Sequence, residues 1–65
     1  MPLFELRTYK RFAAGSAWLA HAETFEAPDA TAAITEAHRR AKALASRHFC
    51  ALSDAEGREL VVYER

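Results

Sequence analysis

The chain has 65 residues, 51% of them hydrophobic, and this predicts one small folded domain over residues 1–65 rather than a disordered tail. Nine basic residues balance nine acidic ones, which excludes a strong overall attraction to nucleic acid or to an anionic membrane. The single cysteine, Cys50, cannot form an internal disulfide, and no apolar run reaches the roughly 18 residues of a membrane span, so we expect a cytoplasmic protein.

The first part of the chain has the pattern of a β-hairpin. Residues 3–12 alternate with the period of two that is typical of a strand, and residues 17–27 form a second predicted strand. Gly15 can adopt the positive φ that a tight turn between them requires. In the second strand, Phe25 shares its parity with Glu23 and His21. Either a bulge or a sheet with two covered faces is therefore needed to avoid burying charge.

Residues 29–48 carry the strongest helical pattern in the chain. Pro28 cannot continue a strand ladder, and Asp29 is a favourable N-cap because its carboxylate can accept amide protons of the first turn. Basic residues crowd the last predicted turns, where the helix dipole favours cations. The apolar positions recur at spacings of three and four and include Ala33, Ile34, Ala37, Ala41 and Leu44.

The chain ends in a second predicted hairpin, with strands over residues 49–53 and 58–65. Gly57 suits the left-handed position that closes the intervening turn. With Asp54 opposite Arg58, both faces of this hairpin are apolar. The predicted pairs are Leu52 with Leu60 and Cys50 with Val62 on one face, and Ala51 with Val61 and Phe49 with Tyr63 on the other.

Together these elements predict an α+β fold of the type β-β-α-β-β. The preferred arrangement is a four-stranded antiparallel sheet in the order 2-1-3-4, with the helix packed on one face. The predicted core lies between the sheet and the helix. It comprises Cys50, Leu52, Leu60 and Val62, with Phe4 and Leu6, beneath Ile34, Ala37, Ala41 and Leu44.

A single helix leaves the other face of such a sheet without cover. An apolar patch of this size is uncommon on soluble monomers and indicates a binding surface. The predicted function is therefore a non-enzymatic interaction or assembly module, either a homodimer through this face or the edge strands, or a subunit bound to a protein partner. The predicted interface residues are Tyr9, Trp18, Phe49, Val61 and Tyr63.

Two alternatives remain open at this stage. Exposed aromatic and basic residues could form a sheet that binds single-stranded nucleic acid, although the zero net charge disfavours high affinity. Its predicted contacts are Arg7, Lys10, His38, Arg39 and Lys42.

The second alternative is a small enzyme or metal-binding protein that uses His21, His48 or Cys50. His48 and Cys50 lie two residues apart and could form half of a metal site or a base beside a nucleophile. A metal site needs about four ligands, and the sequence has no second His/Cys cluster. We therefore predict no catalytic residue, no bound metal and no cofactor.

Overall fold

The computed structural model describes residues 1–64, without the side chain of Ala14. In this part of the chain, four strands form one antiparallel sheet in the order β2-β1-β3-β4, and one helix packs on one face. The predicted α+β class and strand order are confirmed, whereas Arg65, the predicted end of the last strand, lies outside the described residues. The elements are β1 (Leu3–Arg11), a 3-10 turn (Ala13–Gly15), β2 (Ala17–Glu26), α1 (Ala30–Ala41), β3 (His48–Ser53) and β4 (Glu59–Glu64).

The β1–β2 hairpin contains the bulge that was one of the two arrangements left open by the sequence. Gly15 closes the turn with φ of +80°. Thr8 pairs with His21 and Tyr9 pairs with Leu19, so Ala20 has no partner on β1. The extra residue changes which side chains share a face. As a result, Leu19 lies on the helix-free side, although His21, Glu23 and Phe25, which have the same parity in the sequence, lie on the helix side.

Helix α1 begins as predicted but ends earlier. The carboxylate of Asp29 accepts a hydrogen bond from the amide of Ala32 at 2.8 Å. The helix stops at Ala41 rather than at His48, and the following residues form turns that include Arg47 at φ of 66°. The chain must leave the helix here to reach the end of β1, where the amide of Arg11 donates to the carbonyl of Arg47 at 2.7 Å.

The buried core is small. Leu52 and Cys50 are its largest fully buried side chains, and alanine supplies half of its members. Because alanine buries little apolar area, we expect only modest stability from this core. The buried residues are Phe4, Leu6, Ala27, Ala33, Ala37, Ala41, Cys50 and Leu52.

The register of the β3–β4 hairpin differs from the prediction by one residue. The amide of Asp54 donates to the carbonyl of Arg58 at 3.0 Å, as the predicted turn requires. A bulge then leaves Leu60 without a ladder partner on β3 and shifts the following pairs. The observed pairs are Leu52 with Val61, Ala51 with Val62, Cys50 with Tyr63 and Phe49 with Glu64.

This shift exchanges the two faces of β4. Val61 and Tyr63 pack against the core beneath α1, and Val62 is 42% exposed on the opposite face. The predicted burial of Val62 is therefore wrong, as is the predicted exposure of Val61 and Tyr63 on the helix-free face.

Among residues 1–64, no helix is long and apolar enough to cross a membrane.

Candidate interaction surface

The helix-free face of the sheet is organised in rows, because residues paired across antiparallel strands point to the same side. Tyr9 on β1 pairs with Leu19 on β2 and with Phe49 on β3, and we call these three residues the aromatic row. The next row contains Ala22, Arg7, Ala51 and Val62. The row after that is polar, with Thr24, Glu5, Ser53 and Glu59. The apolar part of this face therefore lies toward the C-terminal end of β1.

The aromatic row is centred on a stacked pair. The rings of Tyr9 and Phe49 have centroids 5.0 Å apart and an interplanar angle of 16°. The guanidinium carbon of Arg11 lies 4.4 Å from the centroid of Phe49, and Arg11 also forms an ion pair with Glu64. Phe49 thus has two stacking partners within the chain.

Arg7, beside the aromatic row, is also engaged within the chain. Its Nε lies 2.6 Å from Oε1 of Glu5. A hydrogen bond with Tyr9 and the neighbouring charge of Glu5 raise the pKa of Arg7. The two arginines of this face, Arg7 and Arg11, therefore each have a carboxylate partner.

Two aliphatic side chains flank the stacked pair and extend into solvent. Leu19 is 56% exposed on β2, and Val62 is 42% exposed on β4. Together with Tyr9 and Phe49 they place one apolar side chain on each of the four strands, and we call these four residues the apolar band. Val62 lies one row away from the other three, because the β4 partner of Phe49 is Glu64. Leu3, at the polar end of the same face, is 52% exposed but lies about 20 Å from Tyr9 along β1.

The structure brings together two of the five residues predicted for the interface. Tyr9 and Phe49 are in contact on the helix-free face. Trp18 pairs with Lys10 and packs edge-on against Phe12 on the other side of the sheet, with ring centroids 5.6 Å apart. Trp18 is therefore wrongly placed by the sequence prediction, because the prediction did not locate the bulge at Ala20.

The sequence prediction missed Leu19, Val62 and Arg11 as members of this face. For Leu19 and Val62, the reason is the pair of bulges, each of which reverses the parity of its strand. A signal for Arg11 was present, since it follows Tyr9 at the spacing of two that keeps side chains on one face. Arg11 can therefore reach the ring that pairs with Tyr9.

No family model, curated protein or solved structure matches the chain.

The predicted nucleic-acid contacts do not form one surface. Arg7 lies on the helix-free face, Lys10 lies on the opposite face of the sheet, and His38, Arg39 and Lys42 lie on or just after α1. Arg39 is paired with Glu36 at 2.5 Å, and the ring of His38 lies 5.3 Å from that of Tyr63.

Of the residues considered for catalysis or metal binding, His48 and Cys50 share one face of β3, whereas His21 lies apart on β2. Nδ1 of His48 lies 3.0 Å from the backbone carbonyl of Ser46. Thr8 of β1 pairs with both His21 and Cys50, so these two residues stand two strands apart, about 10 Å. Cys50 is 1% exposed, and burial raises the pKa of its thiol. The described residues contain no group of three or more His, Cys, Asp or Glu side chains that could hold a metal ion.

An open cavity of about 380 Å³ lies at the polar end of the helix-free face. The β3–β4 turn forms one wall, and Leu3, Glu5, Arg7 and Thr24 contribute to the rest of the lining. Glu5 and Arg7 are paired with each other there, and Asp54 of the turn is paired with Arg58 at 3.1 Å. The ionised groups in the wall thus satisfy one another.

Proposed function

We propose that this chain is a small non-enzymatic assembly module that forms a homodimer through the apolar end of its helix-free face. The observation that carries the proposal is the apolar band, in which exposed Leu19 and Val62 flank the stacked pair of Tyr9 and Phe49. Contiguous exposed apolar surface on a soluble domain is typical of a binding surface. Aromatic and arginine side chains are also enriched at such interfaces.

The size of the molecule supports a second copy as the partner. A stable interface takes about 800 Å² from each partner. The chain exposes 4419 Å², so an interface of that size would use about one fifth of its surface. The small, alanine-rich core of the single chain also leaves apolar burial to be gained by association.

The charges on this face are compatible with burial in a dimer. Arg7 is paired with Glu5 and Arg11 with Glu64 within the chain. A charge that enters an interface already paired costs less free energy than an unpaired one. The same pairing makes a single-stranded nucleic-acid site the less supported alternative, because phosphate contacts need basic groups that are not already neutralised.

A pair of matched substitutions tests the proposal. Leu19→Glu places a carboxylate in the apolar band, and Leu3→Glu places one at the polar end of the same face, at a similar exposure. Burying an unpaired carboxylate costs several kcal/mol, so we expect Leu19→Glu to raise the dimer dissociation constant by roughly 100-fold or more. Leu3→Glu is expected to leave the constant within a few-fold of the original.

Sedimentation equilibrium over a dilution series gives the dissociation constants, and circular dichroism verifies that both variants are folded. Val62→Glu, on the other side of the band, should repeat the effect of Leu19→Glu. A dimer of unchanged affinity in both band variants would overturn the proposal. A folded monomer that binds single-stranded RNA with a steep salt dependence would favour the nucleic-acid alternative instead.

A further inference from the structure

The outer edge of β2 is long and carries little charge along half of its length. The strand has ten residues, and those from Ala17 to Ala22 are all exposed and include no Lys, Arg, Asp, Glu or Pro. The edge strand at the other side of the sheet, β4, has six residues and begins and ends with glutamate. An edge without charge or proline is available to pair with another strand.

We propose that β2 pairs antiparallel with β2 of a second copy, with Ala22 on the two-fold axis. With this axis, residues 21–23 of the two copies pair with each other, and these three residues lie beyond the bulge at Ala20, where β2 alternates regularly. The next pair would place Thr24 opposite the bulge residue Ala20. With Ala22 at the centre, His21 of each copy lies opposite the partner's Glu23, and the pair occurs twice. The small side chains of the two Ala22 residues meet on the helix-free side.

Charge complementarity selects this register over its neighbours. A two-fold axis at Glu23 would place two carboxylates opposite each other, and like charges in these positions are unfavourable. An axis at His21 would place Glu23 opposite Leu19, where the carboxylate has no polar partner in the second copy. Glu23 is already fixed as an acceptor. Its Oε1 lies 2.7 Å from Nη1 of Arg40, and its Oε2 lies 3.4 Å from Nε2 of His21 in the same chain.

Edge pairing goes beyond the face-to-face dimer and does not depend on it. It would join two sheets into one of eight strands, with both helices on one side and both apolar bands on the other. Val62 belongs to the face-to-face mode alone, because it lies on β4, at the opposite side of the sheet from β2, whereas Leu19 lies on β2 and takes part in both modes. They can therefore be tested separately.

Single cysteines on β2 test the edge pairing and its register. Two Ala22 Cα atoms facing each other would be about 4.5 to 5.5 Å apart, which falls within the range that a disulfide can span. Two Thr24 Cα atoms would be about 13 Å apart or more, which is too far. Both positions are exposed and lie on the same face of β2, so Thr24→Cys is the matched control.

Both cysteine variants also carry Val62→Glu, because this substitution removes the contribution of the helix-free face to association. Mild oxidation then forms a disulfide wherever two cysteines lie close enough. We expect Ala22→Cys to form a disulfide-linked dimer on a non-reducing gel and Thr24→Cys to remain a single chain. Native Cys50, at 1% exposure, is excluded from the reaction, and the parent Val62→Glu chain verifies this. Failure of Ala22→Cys to link, or equal linking at Thr24, would overturn edge pairing and leave the face-to-face proposal standing.

A charge substitution tests the role of His21 in the same background. His21→Glu would place carboxylates opposite the partner's Glu23 at two symmetric positions, and we expect association to weaken roughly fivefold. His38→Glu adds the same charge on α1 and should have no effect. Equal association of these two variants would overturn the proposed register. An edge that instead takes an extended peptide from another protein would give no self-linked dimer, and the proposal would fall.

Discussion

The hydroxyl of Tyr63 donates a hydrogen bond to the backbone carbonyl of Ile34 at 3.2 Å. This bond joins the middle of α1 to the edge strand β4. Its ring also packs against the core, so Tyr63 contributes both apolar contact and a polar tie. The bond satisfies the hydroxyl of an aromatic residue that lies beneath a helix built mainly of small side chains.

Removing the hydroxyl of Tyr63 measures how much this hydrogen bond contributes to stability. Tyr63→Phe keeps the ring contacts and loses the hydrogen bond, so we expect the free energy of unfolding to fall by about 0.5 to 1.5 kcal/mol. Urea denaturation monitored by Trp18 fluorescence measures the change. An unchanged unfolding midpoint would mean that water replaces the bond without cost.

Leu52 is the side chain on which the small core depends most. It is fully buried, and truncation to alanine removes apolar contact and leaves a cavity, so Leu52→Ala should destabilise the chain by about 2 to 5 kcal/mol. Small domains have a free energy of unfolding of only a few kcal/mol, and we therefore expect much of this variant to be unfolded at room temperature. Leu3→Ala, at an exposed position, is the control and should change stability by less than about 0.5 kcal/mol. Similar denaturation curves for the two variants would contradict the described burial.

The ion pairs of Arg40 make the free energy of unfolding fall when the pH becomes acidic. Its Nη1 lies 2.7 Å from Glu23 and its Nε lies 2.6 Å from Glu36. The hydrogen bond from Arg40 lowers the pKa of Glu23, and hydrogen bonds from Arg39 and then Arg40 lower the pKa of Glu36 to about 2. Both carboxyls therefore hold their protons less tightly in the folded chain than in the unfolded one.

The direction of the pH effect follows from these lowered pKa values. The stabilisation is complete above the ordinary glutamate pKa of 4.5 and is lost as the pH falls from there toward about 2. Arg40→Met should flatten this part of the pH profile of the unfolding free energy, whereas Lys10→Met should leave it unchanged. Profiles of equal slope for the two variants would show that other carboxyls dominate the acid response.

The reactivity of the Cys50 thiol measures how readily the fold opens around β3. Its thiol is buried, and burial raises its pKa, so both access and thiolate content are low in the folded chain. We expect native Cys50 to react with a thiol reagent at neutral pH much more slowly than the exposed cysteine of Ala22→Cys, and to reach a similar rate in denaturing urea. Rapid reaction of the native thiol would indicate that β3 opens readily, or that Cys50 is reactive.

The topology could be predicted because it depends on coarse features of the sequence. Alternation marked the strands, Gly15 and Gly57 marked the turns, and Asp29 marked the start of the helix; all three residues have the predicted roles. The strand order followed from these elements, because the chain order leaves few ways to build a wholly antiparallel sheet.

The composition of the two faces could not be predicted to the same extent. A bulge of one residue moves every later side chain of its strand to the other face, and the sequence does not give its position. The bulge in β2 placed Trp18 wrongly, and the bulge in β4 exchanged Val62 with Val61 and Tyr63. The helix end was missed because the alanine-rich pattern continues beyond Ala41, whereas the chain has to turn back to start β3.

The alanines at every fourth position of α1 have a thermodynamic consequence. Ala33, Ala37 and Ala41 are buried and allow the helix to lie close to the sheet, and the shortest dimension of the molecule is 15 Å. Because unfolding of this alanine-rich core exposes little apolar surface to water, we expect a heat capacity change on unfolding that is small for the length of the chain. The stability of this protein should therefore vary little over a wide temperature range and decline gradually on heating, with a broad calorimetric transition.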